Sequence, residues 1–277
     1  MLKKFVLGSV AALVLAACGG SENASNAASS APAPAQKSQG GSLIERINNK
    51  GTISVGTEGT YAPFTYHDKS GKLTGYDVEV TRAVAEKLGI TVEFKETQWD
   101  AMMAGLKAGR FDVVANQVAL TSPERQATFD KSEPYSWSGA VLVARNDSTI
   151  KSIDDIAGIK AAQSLTSNYG ERATAAKAQI VPVDGLAQSL MLIEQKRAEV
   201  TLNDELAVLD YLKKNPNAGV KIVWSAPVEE KVGAGLIVNK GNDEVVAKFS
   251  AAMNELKADG TLKKLGEQFF GKDISVK

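Results

Sequence analysis

The chain has 277 residues, 44% of them hydrophobic, with 32 Lys and Arg balanced by 32 Asp and Glu. A formally neutral chain lacks the basic field that holds a phosphate backbone, which excludes nucleic acid as the main partner. One cysteine and one histidine in the whole sequence exclude a disulfide scaffold and a cysteine–histidine metal cluster.

The first residues, Met1-Leu2-Lys3-Lys4, are basic, and the apolar run from Phe5 to Ala17 is too short to span a bilayer as a stable helix. That is the organisation of a signal peptide over residues 1–17. It ends in Leu15-Ala16-Ala17-Cys18-Gly19, which resembles the bacterial lipobox, where the thiol is acylated and Cys18 becomes the new N-terminus. The expectation is an exported protein in the periplasm or at the cell surface, lipid-anchored through Cys18 to a bacterial membrane. An ordinary secretory signal followed by a chance cysteine is the alternative. Gly19 is not the acidic residue associated with inner-membrane retention in some Gram-negative sorting systems, which favours the outer membrane there. Residues 21–41 are mostly Ser, Ala, Asn, Pro, Gln and Gly with almost nothing large and apolar, so residues 18–41 are expected to be the lipidated end and a disordered tether. Once Lys3, Lys4, Lys37 and Glu22 are set aside, the body keeps 29 basic and 31 acidic residues.

In the body, strands are predicted at Thr52–Val55, Thr91–Lys95, Phe111–Ala115, Val141–Ala144, Ile159–Gln163 and Glu199–Leu202. Helices fall between them. Val80, Ala83, Val84 and Leu88 share one helical face that Gly89 ends as a left-handed cap, and Met102, Met103 and Leu106 form a second such face before Gly109. Alternation of this kind predicts an α/β sheet covered by helices. There is also an internal echo. Leu106, Arg110, Asp112, Val113, Asn116 and Gln117 recur at constant offset as Ile193, Arg197, Glu199, Val200, Asn203 and Asp204, which suggests two similar lobes. Similar composition at any helix–turn–strand unit is the plainer explanation.

Open α/β sheets bind ligands beyond the carboxyl ends of their strands. The residues that follow the predicted strands are Glu58 to Tyr61, Thr97 to Asp100, Asn116-Gln117, Ser164 to Tyr169 and Asn203-Asp204, and each group carries hydrogen-bonding or aromatic side chains. Arg125 lies a little downstream of Gln117. A guanidinium fork fits a carboxylate and an aspartate accepts from an ammonium, so the set suits a zwitterion, with Tyr61 and Trp99 as apolar walls. Simpler readings stay open. Arg125 can be a solvated helix-start residue beside Glu124, Asp204 a helix cap, Glu58 an exposed loop residue, and Tyr61 and Trp99 parts of the core. His67, in Tyr66-His67-Asp68-Lys69-Ser70-Gly71, reads as a solvated turn residue.

Glu58-Gly59-Thr60-Tyr61-Ala62-Pro63-Phe64, Gly71 to Glu79, Trp99-Asp100, Arg110 to Gln117, Pro123-Glu124-Arg125, Ser132 to Tyr135, Asp259 to Leu262 and Phe269-Phe270-Gly271 together resemble the polar amino acid receptors of bacterial ABC importers, the family-three solute-binding proteins. The likeness covers essentially all of residues 42–277. It implies the type II periplasmic binding protein fold, two α/β lobes joined by two crossing hinge strands that close on an amino acid. By this likeness the first lobe is 42–138 with 234–277 and the second is 139–233. It further implies that Arg125 holds the ligand α-carboxylate with the backbone of Ala119 and the amides of Ser167 and Asn168. Asp204 then holds the α-ammonium, Tyr61 and Trp99 line the side-chain pocket, and Glu58, Gln117 and Thr166 set its polarity. Ala119 departs from the Ser or Thr of many relatives, and the segment from Leu120 to Arg125 is one residue longer than usual. Glu58 to Tyr61, Trp99-Asp100 and Asn116-Gln117-Val118 are most similar to receptors for cystine or cysteine. The implied partners are ABC permease subunits and the membrane, with a monomeric protein, no cofactor and no enzymatic activity. The same fold also serves periplasmic cyclohexadienyl dehydratases and sensor domains, which keeps an enzyme as the alternative.

Overall fold

The alternating strands and helices assemble into two five-stranded sheets in the computed structural model, which describes residues 41–277. Cys18, the signal peptide and the tether expected around it lie outside the described residues. α1 (Leu43–Asn48) opens with a capping box in which the Ser42 hydroxyl accepts from the Glu45 amide and the Glu45 carboxylate accepts from the Ser42 amide. β1 (Thr52–Thr57) then enters the first sheet and is followed by a small meander of β2 (Thr60–Tyr61), β3 (Thr65–His67) and β4 (Leu73–Thr74). His67 is exposed at the end of β3, beside the turn to β4. α2 (Tyr76–Leu88) ends where expected: Gly89 takes φ 67°, a left-handed value at which a glycine pays no side-chain penalty. β5 (Thr91–Glu96), α3 (Trp99–Lys107), β6 (Val113–Val114), α4 (Pro123–Thr128) and β7 (Phe129–Lys131) complete this part.

The chain leaves through β8 (Ser136–Ser138) and builds the second sheet from β9 (Ala140–Arg145), β10 (Lys160–Gln163), α5 (Asn168–Ala175), β11 (Gln179–Pro182), α6 (Gly185–Glu194), β12 (Val200–Asp204), α7 (Glu205–Lys214) and β13 (Val220–Ser225). It returns through β14 (Val232–Ala234) to β15 (Ile237–Asn239), and α8 (Asp243–Ala258) and α9 (Thr261–Phe270) follow. β8 and β14 pair antiparallel, so the two crossings between the sheets form one ribbon.

The sheet orders are β5-β1-β6-β15-β7 and β11-β10-β12-β9-β13. The two echoed segments occupy the same place in each. β6 and β12 are central strands, each with a parallel neighbour on one side, β1 or β10, and an antiparallel one on the other, β15 or β9. The repeat in sequence therefore has a counterpart in topology. All six predicted strands are present with shifted ends, β1 running on to Thr57 and the other large changes falling on β6 and β12. β6 shrinks to Val113–Val114, and β12 runs on through Asn203 and Asp204, which pair with Val141 and Ala140 of β9. β11 was not predicted: Gln179-Ile180-Val181-Pro182 is an edge strand ending in proline, which donates no ladder bond, and its half-exposed residues leave no apolar alternation.

Three apolar clusters hold the body together. One runs through both halves, from Ile53, Val80 and Phe249 to Val143, Leu190 and Ile193. Met102, Leu106 and Phe111 centre a second beneath α3, and Leu142, Ile156 and Leu202 centre a third in the second sheet. Among the described residues no helix is long and apolar enough to cross a membrane.

Candidate functional site

A narrow cleft lies between the carboxyl ends of the two sheets, lined by Glu58, Tyr61, Trp99, Asn116 and Gln117 from the first and by Gln163, Ser164, Ser167, Asn168, Tyr169, Gly185, Leu186 and Asn203 from the second. On the first side, the turn after β1 carries Glu58, whose backbone is fixed by Asn116 at the end of β6. Asn116 Oδ1 accepts from the Glu58 amide at 2.8 Å, and its Nδ2 donates to Glu58 Oε2 at 2.5 Å. Gly59, φ 72°, makes this turn; a Cβ there would lie 2.2 Å from Glu96 Oε2. Gln117, next along, has φ 50°, a left-handed value that costs a non-glycine residue and needs surrounding bonds to hold it. Its amide and Nε2 both donate to Asp77, at 2.5 and 2.7 Å, and its Oε1 accepts from Ser136. The polar end of Gln117 is thus taken up by its neighbours.

Arg125 is 7% exposed in the first turn of α4, and its guanidinium brings three predicted residues together. Nη1 donates to the Ala119 carbonyl at 3.3 Å, Nη2 donates to the Thr166 carbonyl on the opposite side, and the group lies 5.7 Å from the Trp99 ring. The solvated-surface explanation of Arg125 does not apply. Thr166 itself is exposed and does not line the cleft; its hydroxyl donates to Asp100. Trp99 has a second feature: its buried indole N–H has no hydrogen-bond partner among the described residues, in a side chain that lines the cleft.

On the second side, Ser167 caps α5, its hydroxyl accepting from the Gly170 amide, and Asn168 begins that helix, where backbone N–H groups have no helical acceptor. Asp204, 3% exposed, caps α7 as the simpler reading has it, but it does more. Oδ1 accepts from the amides of Leu206 and Ala207 and from the Ser138 hydroxyl, whereas among the described residues Oδ2 accepts only from the Tyr169 hydroxyl at 3.2 Å. Tyr61 Oη reaches across the cleft to Asn203 Oδ1 at 2.8 Å.

Asp77, Gln163, Gly185 and Leu186 are not among the residues the sequence singles out, and Asn116, Ser164, Tyr169 and Asn203 stand there only as residues after strands, without a place in the expected site. Ser164, Tyr169, Asn116 and Asn203 were visible in the loops after predicted strands. Gly185 and Leu186 follow β11, the strand that the pattern does not reveal. Asp77 has no sequence signal, because it sits in α2 and meets Gln117 only through the fold.

Three carboxyls here titrate above their usual range, chiefly because burial disfavours the charged form. Glu58 is raised to about 7 by burial, with Asp184 and Asp100 adding to it and the Asn116 bond opposing. Asp77 is raised to about 7 by burial against the donors Gln117 and Tyr135. Asp204 is raised to about 6 by burial against Ser138, Leu206, Ala207 and Tyr169. Arg125 is lowered, again by burial. A raised folded-state pKa means that the native protein holds more protons than the unfolded chain, so this part of its stability is complete below the unfolded values and lost as pH rises through about 6 to 7. Thermal scans of the ligand-free protein are expected to give a higher Tm at about pH 5 than at about pH 8, and Asp77→Asn should shrink that difference. An unchanged difference would show that Asp77 is ionised throughout.

Residues 53–272 match the family model described as bacterial extracellular solute-binding proteins, family 3. The chain is 55% identical over 239 residues to a probable amino-acid ABC transporter-binding protein of Haemophilus influenzae, which covers 86% of this chain and 92% of the relative. Its likeness to the L-cystine-binding protein TcyA of Bacillus subtilis is 48% over 278 residues, 99% of this chain and 98% of that one. Among solved structures, the L-cystine solute receptor of Neisseria gonorrhoeae in its unliganded open conformation is 89% identical, covering 86% of this chain and 100% of its own, with a TM-score of 0.60. That receptor is open, whereas here Tyr61 and Arg125 bond across the cleft. The two-sheet, two-crossing architecture is that of the type II periplasmic amino-acid binding proteins. With most of its length matched by the family model, the chain belongs to the bacterial extracellular solute-binding proteins of family 3.

Proposed function

We propose that this protein is the receptor of an amino acid ABC importer, capturing L-cystine, or L-cysteine, between its lobes and delivering it to the permease. The lobes are 42–138 with 234–277 and 139–233, and β8 and β14 form the hinge between them. The observation that carries the reading is a pair of opposite charges set behind the cleft lining, Arg125 against the Trp99 ring and Asp204 against the Tyr169 hydroxyl. Arg125 arrives from one lobe with its guanidinium already aimed at carbonyls of Ala119 and Thr166, and Asp204 arrives from the other with one carboxylate oxygen lightly used. Arg125 then takes the α-carboxylate and Asp204 Oδ2 the α-ammonium, with the amides of Ser167 and Asn168 completing the carboxylate site.

Cystine ranks above cysteine because the far wall is polar. Glu58, held by Asn116, and the unpartnered indole N–H of Trp99 offer an acceptor and a donor, which suit a second amino acid end that cysteine lacks. Both TcyA and the gonococcal receptor carry cystine in their names, and their similarity to this chain supports the same choice. The reading extends to location: a lipid on Cys18 anchors a monomeric receptor in the periplasm or at the cell surface, and the tether of residues 21–41 lets it reach both solute and permease. No reaction is assigned to the cleft; product formed from a cyclohexadienyl substrate would overturn that. Mass spectrometry of ligand released from the purified native protein, followed by titration with cystine and with reduced cysteine, tests the ligand. Cystine is expected to be released and to bind the tighter of the two; failure of both to bind would sink the proposal.

A further inference from the structure

Asp100 is part of the Trp99-Asp100 motif, yet it is exposed and does not line the cleft. It sits in the first turn of α3, where the helix N-terminus favours a negative charge. From there its carboxylate crosses to the other lobe and accepts from the Leu165 amide at 3.2 Å, the Thr166 amide at 2.9 Å and the Thr166 hydroxyl at 2.8 Å. Leu165 and Thr166 belong to the loop between β10 and α5, the same loop that supplies Ser164 and Ser167 to the cleft wall just before Asn168 of α5. The carbonyl of Thr166 is meanwhile held by Arg125. One residue of the second lobe is therefore gripped on its amide, hydroxyl and carbonyl by two side chains of the first. Opening the cleft has to break all of these contacts.

We propose that Asp100 is a positioning residue for closure: its three bonds to Leu165 and Thr166 set how long the lobes stay shut on a ligand, without contact to the ligand itself. The inference rests on the receptor reading above. A ligand that needs both lobes binds the closed form, so apparent affinity scales with the closed fraction, and a bond made only on closure slows release. A charged acceptor with three donors gives stronger bonds than a neutral pair, and exposure to water reduces their net worth. The contacts themselves lie outside the cleft and act alike on every ligand that fits, and the Asp100 charge bears on Glu58 only behind burial, Asn116 and Asp184. Asp100 therefore governs residence time, and the cleft wall governs choice.

The test is stopped-flow release of L-cystine from the full-length protein and from Asp100→Ala, with the relative affinities for cystine, arginine and glutamine measured on both. Release from Asp100→Ala is expected to be roughly tenfold faster, with the order of the amino acids unchanged. Thr166→Val removes one of the three donors and should speed release less, and it should add nothing further to its hydroxyl's share in the Asp100→Ala background, as a direct coupling requires. Equal release rates in wild type and Asp100→Ala, an altered ligand order, or additive effects in the double variant would each overturn the proposal. If wild-type protein binds no amino acid, the receptor reading has failed and closure is read without ligand, by solution scattering. Asp100→Ala should then be more extended than wild type, and identical profiles would sink the closure role by itself.

Discussion

Arg125→Ala is expected to weaken amino acid binding by on the order of 2–5 kcal/mol, because the ligand carboxylate is left desolvated in the closed cleft without its charged partner. The structure adds two reasons for a large effect. The guanidinium also donates to the Thr166 carbonyl across the cleft, so its loss weakens closure as well as contact. It also lies 5.7 Å from the centroid of the cleft-lining Trp99 ring, so a cation–π contact is lost with it. Arg125→Lys keeps the charge but loses the planar fork, and it should recover only part of the affinity. Calorimetric titration decides the matter: binding within a few-fold of wild type by Arg125→Ala would show that the carboxylate sits elsewhere.

Asp204→Ala is expected to have a comparable effect on binding, on the order of 2–5 kcal/mol, by leaving the ligand ammonium unpaired. It should also lower the melting temperature, which Arg125→Ala need not do. Asp204 Oδ1 caps α7 through the Leu206 and Ala207 amides, and loss of an N-cap costs about 1 kcal/mol. Asp204→Asn separates the two roles, since its carbonyl oxygen still caps the helix while the negative charge is gone. A melting temperature near wild type together with strongly reduced binding is the expected result for Asn. If Asp204→Asn binds as wild type does, Asp204 is a cap and the ammonium is held by another group.

The two variants probe residues carried by the two different sheets, and the distance in sequence between residues 125 and 204 shows where reading a chain stops being enough. Patterns carried by neighbouring residues were legible. Apolar spacing located α2 and α3, Gly89 marked the end of α2, and six of the ten strands in the two sheets were found because their β-rich runs are bounded by polar turns. The echo of residues 106–117 at 193–204 pointed to a repeated unit, and it matches the shared central place of β6 and β12. Three of the other four, β7, β11 and β15, are three- or four-residue segments defined by their partners and not by their own pattern, and the six-residue edge strand β13 has a half-buried run, Ile222-Val223-Trp224, without alternation.

By itself the sequence determined the kind of chain this is: an α/β body with polar loops after its strands, a repeated half, and an N-terminal segment of export character. Composition and periodicity are local properties, and burial selects them residue by residue. Only the tertiary structure decided which polar residues meet and which are already occupied. It spent the Gln117 amide on Asp77, placed the Thr166 hydroxyl on Asp100 outside the cleft, buried Arg125 against two carbonyls, and left one oxygen of Asp204 facing a single tyrosine hydroxyl. Those outcomes depend on how far apart two folded walls stand and on which donor reaches an acceptor first. Hydrogen bonds act over about 3 Å, and no spacing along the chain encodes a distance that small between residues so far apart.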